Sequence, residues 1–471
     1  MTKILKKTEY FLAWLTEKSA PIIKGLRQIF ESIPFAVFET LFAAFIVALG
    51  QEVAGAVAFV ALLCIKLVVC DDVLTTTLPF LLLSAFVTNC YDSFHIFIGY
   101  IVWAPLAIAC VAFHFTVYAK PVKTGASAYG IFFVTVAVML GGIGRFSAME
   151  YIKGAYYIFG LGAGMLAAYY LMKSQFAVRR TYSLKERFSL IMTLWGTLCS
   201  AMVLLGYAKV FFGLDTGGYS IGFSRNNIST MLMFAMPFPL FLSFKRKWFS
   251  LFTPVFFATL CVTTSRGGLL FGGVEFIVCC VYWVLSNAQT AKMRLQLAGV
   301  CVAVSAVIVA CFSKTIYDVL WGRLLGNENF VNDARVKMLF QSWEKFLESP
   351  VWGTGLLDNA TEYGQIKKMG AMGWYHMMIP QVIASMGLIG VAAYAFQCVQ
   401  RCKSVFTRTS KWSLCLGISY LGVLMMSQVN PGEFCPLPFE LLAVLLFILQ
   451  ELRLEENALP YAKEYWQRNR F

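Results

Sequence analysis

The residues best suited to chemistry in this chain are a few arginines set between apolar runs and one histidine that closes the longest polar stretch. The sharpest pattern is Thr263-Thr264-Ser265-Arg266-Gly267-Gly268, which joins two apolar runs with almost no loop. A guanidinium beside the N-terminus of the next helix would hold phosphate oxygens, and the two glycines would let a ligand approach the backbone. An interfacial arginine that snorkels to water, with glycines for helix packing, would leave the same pattern.

Arg225 follows a glycine-rich stretch, Gly217-Gly218-Tyr219-Ser220-Ile221-Gly222-Phe223-Ser224, and precedes Asn226-Asn227, either of which could cap the helix after it. A turn carrying a solvated cation is the plain alternative. Arg145 in Gly141-Gly142-Ile143-Gly144-Arg145 is a weaker case of the same kind, and Arg335 either points into a site or is a surface cation. His376, in Trp374-Tyr375-His376, has the intrinsic pKa for proton transfer near neutrality, although a histidine bonded at a helix end would look alike.

What must position these residues is a membrane bundle. A chain of 471 residues that is 59% hydrophobic and only 14% charged, with mean hydropathy +0.69, cannot bury its apolar surface in one water-soluble core. Apolar runs near 35–51, 54–70, 76–90, 95–118, 128–142, 155–172, 188–208, 228–243, 248–264, 267–286, 295–312, 377–399, 412–428 and 436–451 predict an all-α polytopic protein of about 12–14 transmembrane helices. The first 34 residues are basic and lack a cleavable signal pattern, which suits a cytoplasmic or interfacial segment.

With that segment inside, most Lys and Arg fall in it and in the joints 119–125, 173–187, 244–247, 287–294, 400–411 and 452–471, and the short external joints are nearly free of them. The expected organisation is therefore a basic segment 1–34, a transmembrane bundle 35–312, one long external loop 313–376, helices 377–452 and a cytoplasmic tail 453–471. The net charge of +14 then reports topology and gives no reason to expect nucleic acid. The external loop itself carries seven acids and seven bases, so it is no electrostatic trap. The 14 cysteines lie mostly in apolar runs without metal-ligand spacing and read as packing residues; Cys311 and Cys435 are the pair placed nearest the outside. Asp71-Asp72 reads as a helix-boundary feature and His114 as a buried histidine.

Within the loop, Asp333 to Glu348 has apolar residues at helical spacing and is stopped by Ser349-Pro350, predicting an amphipathic helix along the membrane surface. Pro350-Val351-Trp352-Gly353-Thr354-Gly355 predicts a tight turn back toward the bundle.

Taken in order, the glycine-rich loop with Arg225, the Ser265-Arg266-Gly267-Gly268 joint, Arg335, Pro350-x-x-Gly353-x-Gly355, His376 and Met386-Gly387-Leu388-Ile389-Gly390 resemble the O-antigen ligases and the related Wzy-type polysaccharide polymerases. The resemblance covers residues 210–450. It implies a GT-C-like bundle with one long external loop that transfers a glycan from an undecaprenyl-diphosphate carrier to an acceptor hydroxyl on the external face of a bacterial inner membrane. It also implies that Arg266, Arg225 and Arg335 bind the pyrophosphate and that His376 is the general base or positions the acceptor. Neither cofactor nor metal is expected. The partners are the lipid-linked donor, a glycan or lipid-anchored acceptor and the bilayer. A flippase of polyprenyl-linked glycans would also use many helices and arginines, but it would carry related halves and charges at mid-membrane depth.

Overall fold

The computed structural model describes residues 21–49, 51–87, 101–118, 122–141, 158–176, 183–211, 225–318, 334–355, 375, 377–430 and 432–458. Among these residues there is no strand. The helices in chain order are α1 (Pro21–Phe30), α2 (Ile33–Ala48), α3 (Glu52–Val69), α4 (Leu74–Val87), α5 (Ala104–Val117), α6 (Ala126–Gly141), α7 (Ala163–Phe176), α8 (Leu184–Phe211), α9 (Arg225–Ala235) and α10 (Phe238–Ser243). They continue with α11 (Phe252–Val262), α12 (Arg266–Asn287), α13 (Ala291–Cys311), α14 (Ser313–Tyr317), α15 (Ala334–Glu348), α16 (Met378–Phe406), α17 (Lys411–Ser427) and α18 (Leu441–Ala458).

This is an all-α polytopic membrane protein. Among the described residues, four helices (Leu184–Ala208, Arg266–Asn287, Ala291–Cys311 and Met378–Phe406) are long and apolar enough to cross a bilayer unaided, and α1 with α2 makes a fifth candidate bent by 60°. Among the shorter apolar helices are α3, α5, α6 and α17, of which α6 packs on α16 and α17 on α12.

Local chemistry sets the helix starts. Ser265, Thr290 and Ser410 each sit in extended backbone and accept a hydrogen bond from the third residue of the following helix, Gly268, Met293 and Ser413. At the α3–α4 boundary the Asp72 carboxylate accepts from the N–H of Leu74, the first residue of α4, at 3.0 Å. The run 228–243 is two helices, because the chain turns at Met236-Pro237 and a proline cannot donate to the helical ladder.

Inside the bundle α17 packs against both α9 and α12. Trp195, Phe234, Phe238 and Phe256 are fully buried there, and the Ser419 hydroxyl donates to the Phe234 carbonyl of α9 at 2.7 Å. One departure from the sequence expectation concerns charge. Arg401, counted by sequence among the cations of the joint 400–411, is 2% exposed and donates to Glu433 at 2.8 Å, to Glu440 at 2.6 Å and to the Tyr420 hydroxyl at 3.2 Å. Lys173 is likewise buried against Glu451, 3.0 Å away, whose other oxygen accepts the Ser127 N–H at the start of α6. Long aliphatic stems let these cations reach carboxylates that the linear pattern keeps far apart.

The longest helix, α16, is interrupted. Gly387 has φ 58° and ψ −150°, a conformation open only to glycine. The carbonyls of Ala384 and Ser385, which a continuous helix would offer to Leu388 and Ile389, accept instead from the N–H groups of Thr354 (2.8 Å) and Gly355 (3.0 Å). Leu388 and Ile389 in turn donate to Pro350 (2.8 Å) and Val351 (3.2 Å). The segment 350–355 thus does more than turn: it is spliced into the break and completes the ladder from outside. A Cβ on Gly353 would stand 2.3 Å from the Met386 nitrogen, and one on Gly387 would stand 2.5 Å from the Pro350 oxygen.

Helix α15 forms as expected and lies on α16, burying Met338 and Ser342 while leaving Leu339, Phe340, Trp343 and Leu347 exposed. Met338 packs with Tyr375 and Ala384 in a small separate core.

Candidate active site

Arg225 and Arg266 each occupy the first position of a helix, α9 and α12, and the structure brings the two helix starts together. The chain leaves α11 through Thr263, Thr264 and Ser265, and each of these residues is joined to the first turns of α9. The Thr263 hydroxyl lies 3.2 Å from that of Ser229, Thr264 Oγ1 accepts from Arg225 Nη1 at 2.9 Å, and the Ser265 hydroxyl donates to Asn226 Oδ1 at 2.9 Å. Asn227 Oδ1 accepts from Asn430 Nδ2 at 3.3 Å, tying the end of α17 to the same place.

Burial is graded across this zipper. Thr263, Ser265 and Ser229 are buried, Thr264 and Arg266 are half-buried, and Arg225 is exposed. The positive ends of two helix dipoles and two guanidinium groups therefore meet where buried polar side chains give way to the surface. Such an arrangement can hold an anion that carries more than one phosphoryl group.

The glycines after Arg266 have a different task from opening the backbone to a ligand. Both are buried; a Cβ on Gly267 would meet Val429 at 2.4 Å and one on Gly268 would meet Ser229 Oγ at 2.4 Å. They let α12 lie close against α17 and α9. Nor does either asparagine cap α9, since both fall inside it and spend their side chains on Ser265 and Asn430. Thr264, Asn226, Ser229 and Asn430 are the members of this site that the pattern of arginines does not single out; the unbroken run Thr263-Thr264-Ser265 ahead of Arg266 was the available signal.

The site lies at one end of the bundle. The 22 residues of α12 rise about 33 Å, close to the hydrocarbon thickness, and lead to the other end. There the Tyr282 hydroxyl donates to the Lys411 carbonyl at 2.9 Å, the Lys411 ammonium sits 4.0 Å over the Phe244 ring, and Lys245 pairs with Glu186 at 2.5 Å. Lys245, Arg246, Lys247, Lys292 and Arg294 are all exposed on that far end.

Arg335 is the second residue of α15, and its side chain lies outside the described residues, as do Arg145 and His376. The residues on either side of His376 are described. The Tyr375 N–H donates to Gln381 Oε1 at 3.0 Å, Gln381 Nε2 donates to Ser385 at 3.0 Å, and Met377 N-caps α16 in extended backbone.

Fold and site thus define a multi-pass helical membrane protein with a cationic, helix-terminal site at one end. Residues 249–395 match the family model of the O-antigen ligases, so this part of the chain is O-antigen ligase-like. The matched segment contains Arg266, the α15 helix, the spliced turn and the start of α16, and Arg225 lies just outside it. The match supports a ligase- or polymerase-like, glycosyl-transferring function. No curated protein matches the chain.

Proposed function

We propose that the protein is a membrane glycosyltransferase that moves a glycan from an undecaprenyl-diphosphate carrier to an acceptor hydroxyl on the external face of a bacterial inner membrane. The observation that carries this reading is the joining of Arg225 and Arg266 through Thr264, at the opposite end of the bundle from the exposed cluster Lys245, Arg246, Lys247, Lys292 and Arg294. With the basic end cytoplasmic, the paired arginines face outward.

In the reaction the acceptor oxygen forms a bond to the anomeric carbon of the donor sugar while the bond from that carbon to the diphosphate oxygen breaks. The lipid diphosphate keeps the electron pair. Arg225 and Arg266, with Arg335, bind and steady that leaving group, and His376 takes the proton of the acceptor hydroxyl. The donor already carries the activation, so the protein's task is positioning and charge stabilisation. A ligase would use a finished lipid-anchored acceptor, and a polymerase would use another lipid-linked repeat.

The test is transfer in reconstituted membranes from an undecaprenyl-diphosphate oligosaccharide, with products resolved by size. A single transfer supports a ligase and a ladder supports a polymerase. Well-folded protein that translocates the donor without transferring its glycan would overturn the enzyme reading in favour of a flippase.

A further inference from the structure

We infer that Thr264 is a specificity-determining positioning residue, which holds Arg225 beside Arg266 so that the pair selects a diphosphate over a monophosphate. This rests on the reading of the two arginines as the pyrophosphate site.

The first observation is conformational. Thr264 has φ 55°, in the left-handed region that a β-branched side chain rarely enters and that glycine enters freely. A threonine kept where glycine would be relaxed is explained when its side chain is used. Its hydroxyl is used: it accepts from Arg225 Nη1 at 2.9 Å.

The second observation separates this contact from the ones that hold the helices together. On either side of Thr264, the buried Thr263 and Ser265 already link α11 and α12 to Ser229 and Asn226. Those two links join α9 to the α11–α12 connection without Thr264. The Thr264 contact lies at the open edge of the zipper, on an exposed arginine, where a hydrogen bond adds little to folding stability. What it does is restrict a long, rotamer-rich side chain and leave four of its five N–H donors for a ligand.

The consequence is selective. A monophosphate can be held by the Arg266 guanidinium at the positive end of the α12 dipole, and loses little when Arg225 wanders. The second phosphoryl group of a diphosphate gains its charge-assisted bonds only when the second guanidinium is already in place.

The experiment measures binding of undecaprenyl diphosphate and undecaprenyl monophosphate to the full-length protein in nanodiscs, for wild type, Thr264→Ser, Thr264→Gly and Arg266→Gln. Thr264→Ser keeps the hydroxyl and retains the preference for diphosphate. Thr264→Gly weakens diphosphate binding by roughly tenfold, the size of one well-placed charge-assisted bond, with monophosphate binding changed less than about twofold. Its thermal midpoint is equal to or above that of wild type, because the glycine relaxes the backbone. A Thr264→Gly protein that keeps its discrimination, or that loses both ligands together with a lowered midpoint, overturns the inference. Arg266→Gln tells the two failures apart. If it binds diphosphate like wild type, the pyrophosphate reading falls and this inference with it; if it loses diphosphate while Thr264→Gly does not, only the role of Thr264 falls.

Discussion

Leu388 donates its main-chain N–H to the carbonyl of Pro350 at 2.8 Å, so the middle of the longest span is completed by a turn that lies 38 residues earlier in the chain. The turn follows directly on α15, and the helix it completes begins two residues after His376. The amphipathic helix α15, the spliced turn and the span α16 are thus one mechanical unit.

Gly387→Ala and Gly353→Ala should each break that unit, since each Cβ would meet backbone atoms that cannot move aside. A cost of about 3 kcal/mol or more is expected, seen as loss of monodisperse protein and a lowered thermal midpoint. Val351→Ala, at an exposed side chain of the same turn, should stay within about 0.5 kcal/mol.

Arg401→Met leaves Glu433 and Glu440 buried without their shared cation. A loss of about 3–5 kcal/mol is expected in unfolding experiments. Adding Glu433→Gln and Glu440→Gln to the same chain should restore most of it. If the triple variant is no more stable than the single one, charge burial is not the cause.

Ser265→Ala removes the cap on α12 and the bond to Asn226 together. About 1 kcal/mol of stability should go, and the donor KM should rise because both helix starts loosen.

His376→Gln should lower kcat by about 10²–10⁴ with the donor KM nearly kept, as loss of a general base requires. Arg266→Lys should act the other way, mainly on donor KM, because an ammonium cannot reproduce the guanidinium fork. Steady-state kinetics in nanodiscs separate the two patterns.

Glu31, in the joint before α2, has its carboxyl raised from an ordinary 4.5 to about 7, chiefly by burial and then by the neighbouring Asp71 and Asp72. The folded state therefore binds this proton more tightly than the unfolded chain. The stability it contributes is full below pH 4.5 and is lost as pH rises through about 7. Glu31→Gln should flatten this part of the pH profile and raise the thermal midpoint above pH 7 relative to wild type; an unchanged slope would remove Glu31 as its source.

Much of the architecture was legible because lipid admits few solutions: an apolar run of the right length becomes a helix, and Ser or Thr before it becomes a cap. The amphipathic run ending at Ser349-Pro350 and the boundary at Asp72 were readable for the same local reasons. The break at Gly387 was hidden, since a glycine among Met386, Leu388 and Ile389 reads as a packing residue until Pro350 is found beside it. The burial of Arg401 was not readable because its partners lie 32 and 39 residues away, and linear distance says nothing about which carboxylate a cation meets. At the site, Arg225 and Arg266 were visible as types, but the link between them depends on the left-handed backbone of Thr264, which no local rule assigns to a threonine.

The splice at Gly387 is made by four main-chain bonds, so what it demands of the sequence is chiefly glycine at three positions, Gly353, Gly355 and Gly387. Val351, Trp352 and Leu388 stand exposed beside the joint, and the face these three present can be rewritten without disturbing it. A fold fastened in this way can change what it accepts faster than it changes its shape.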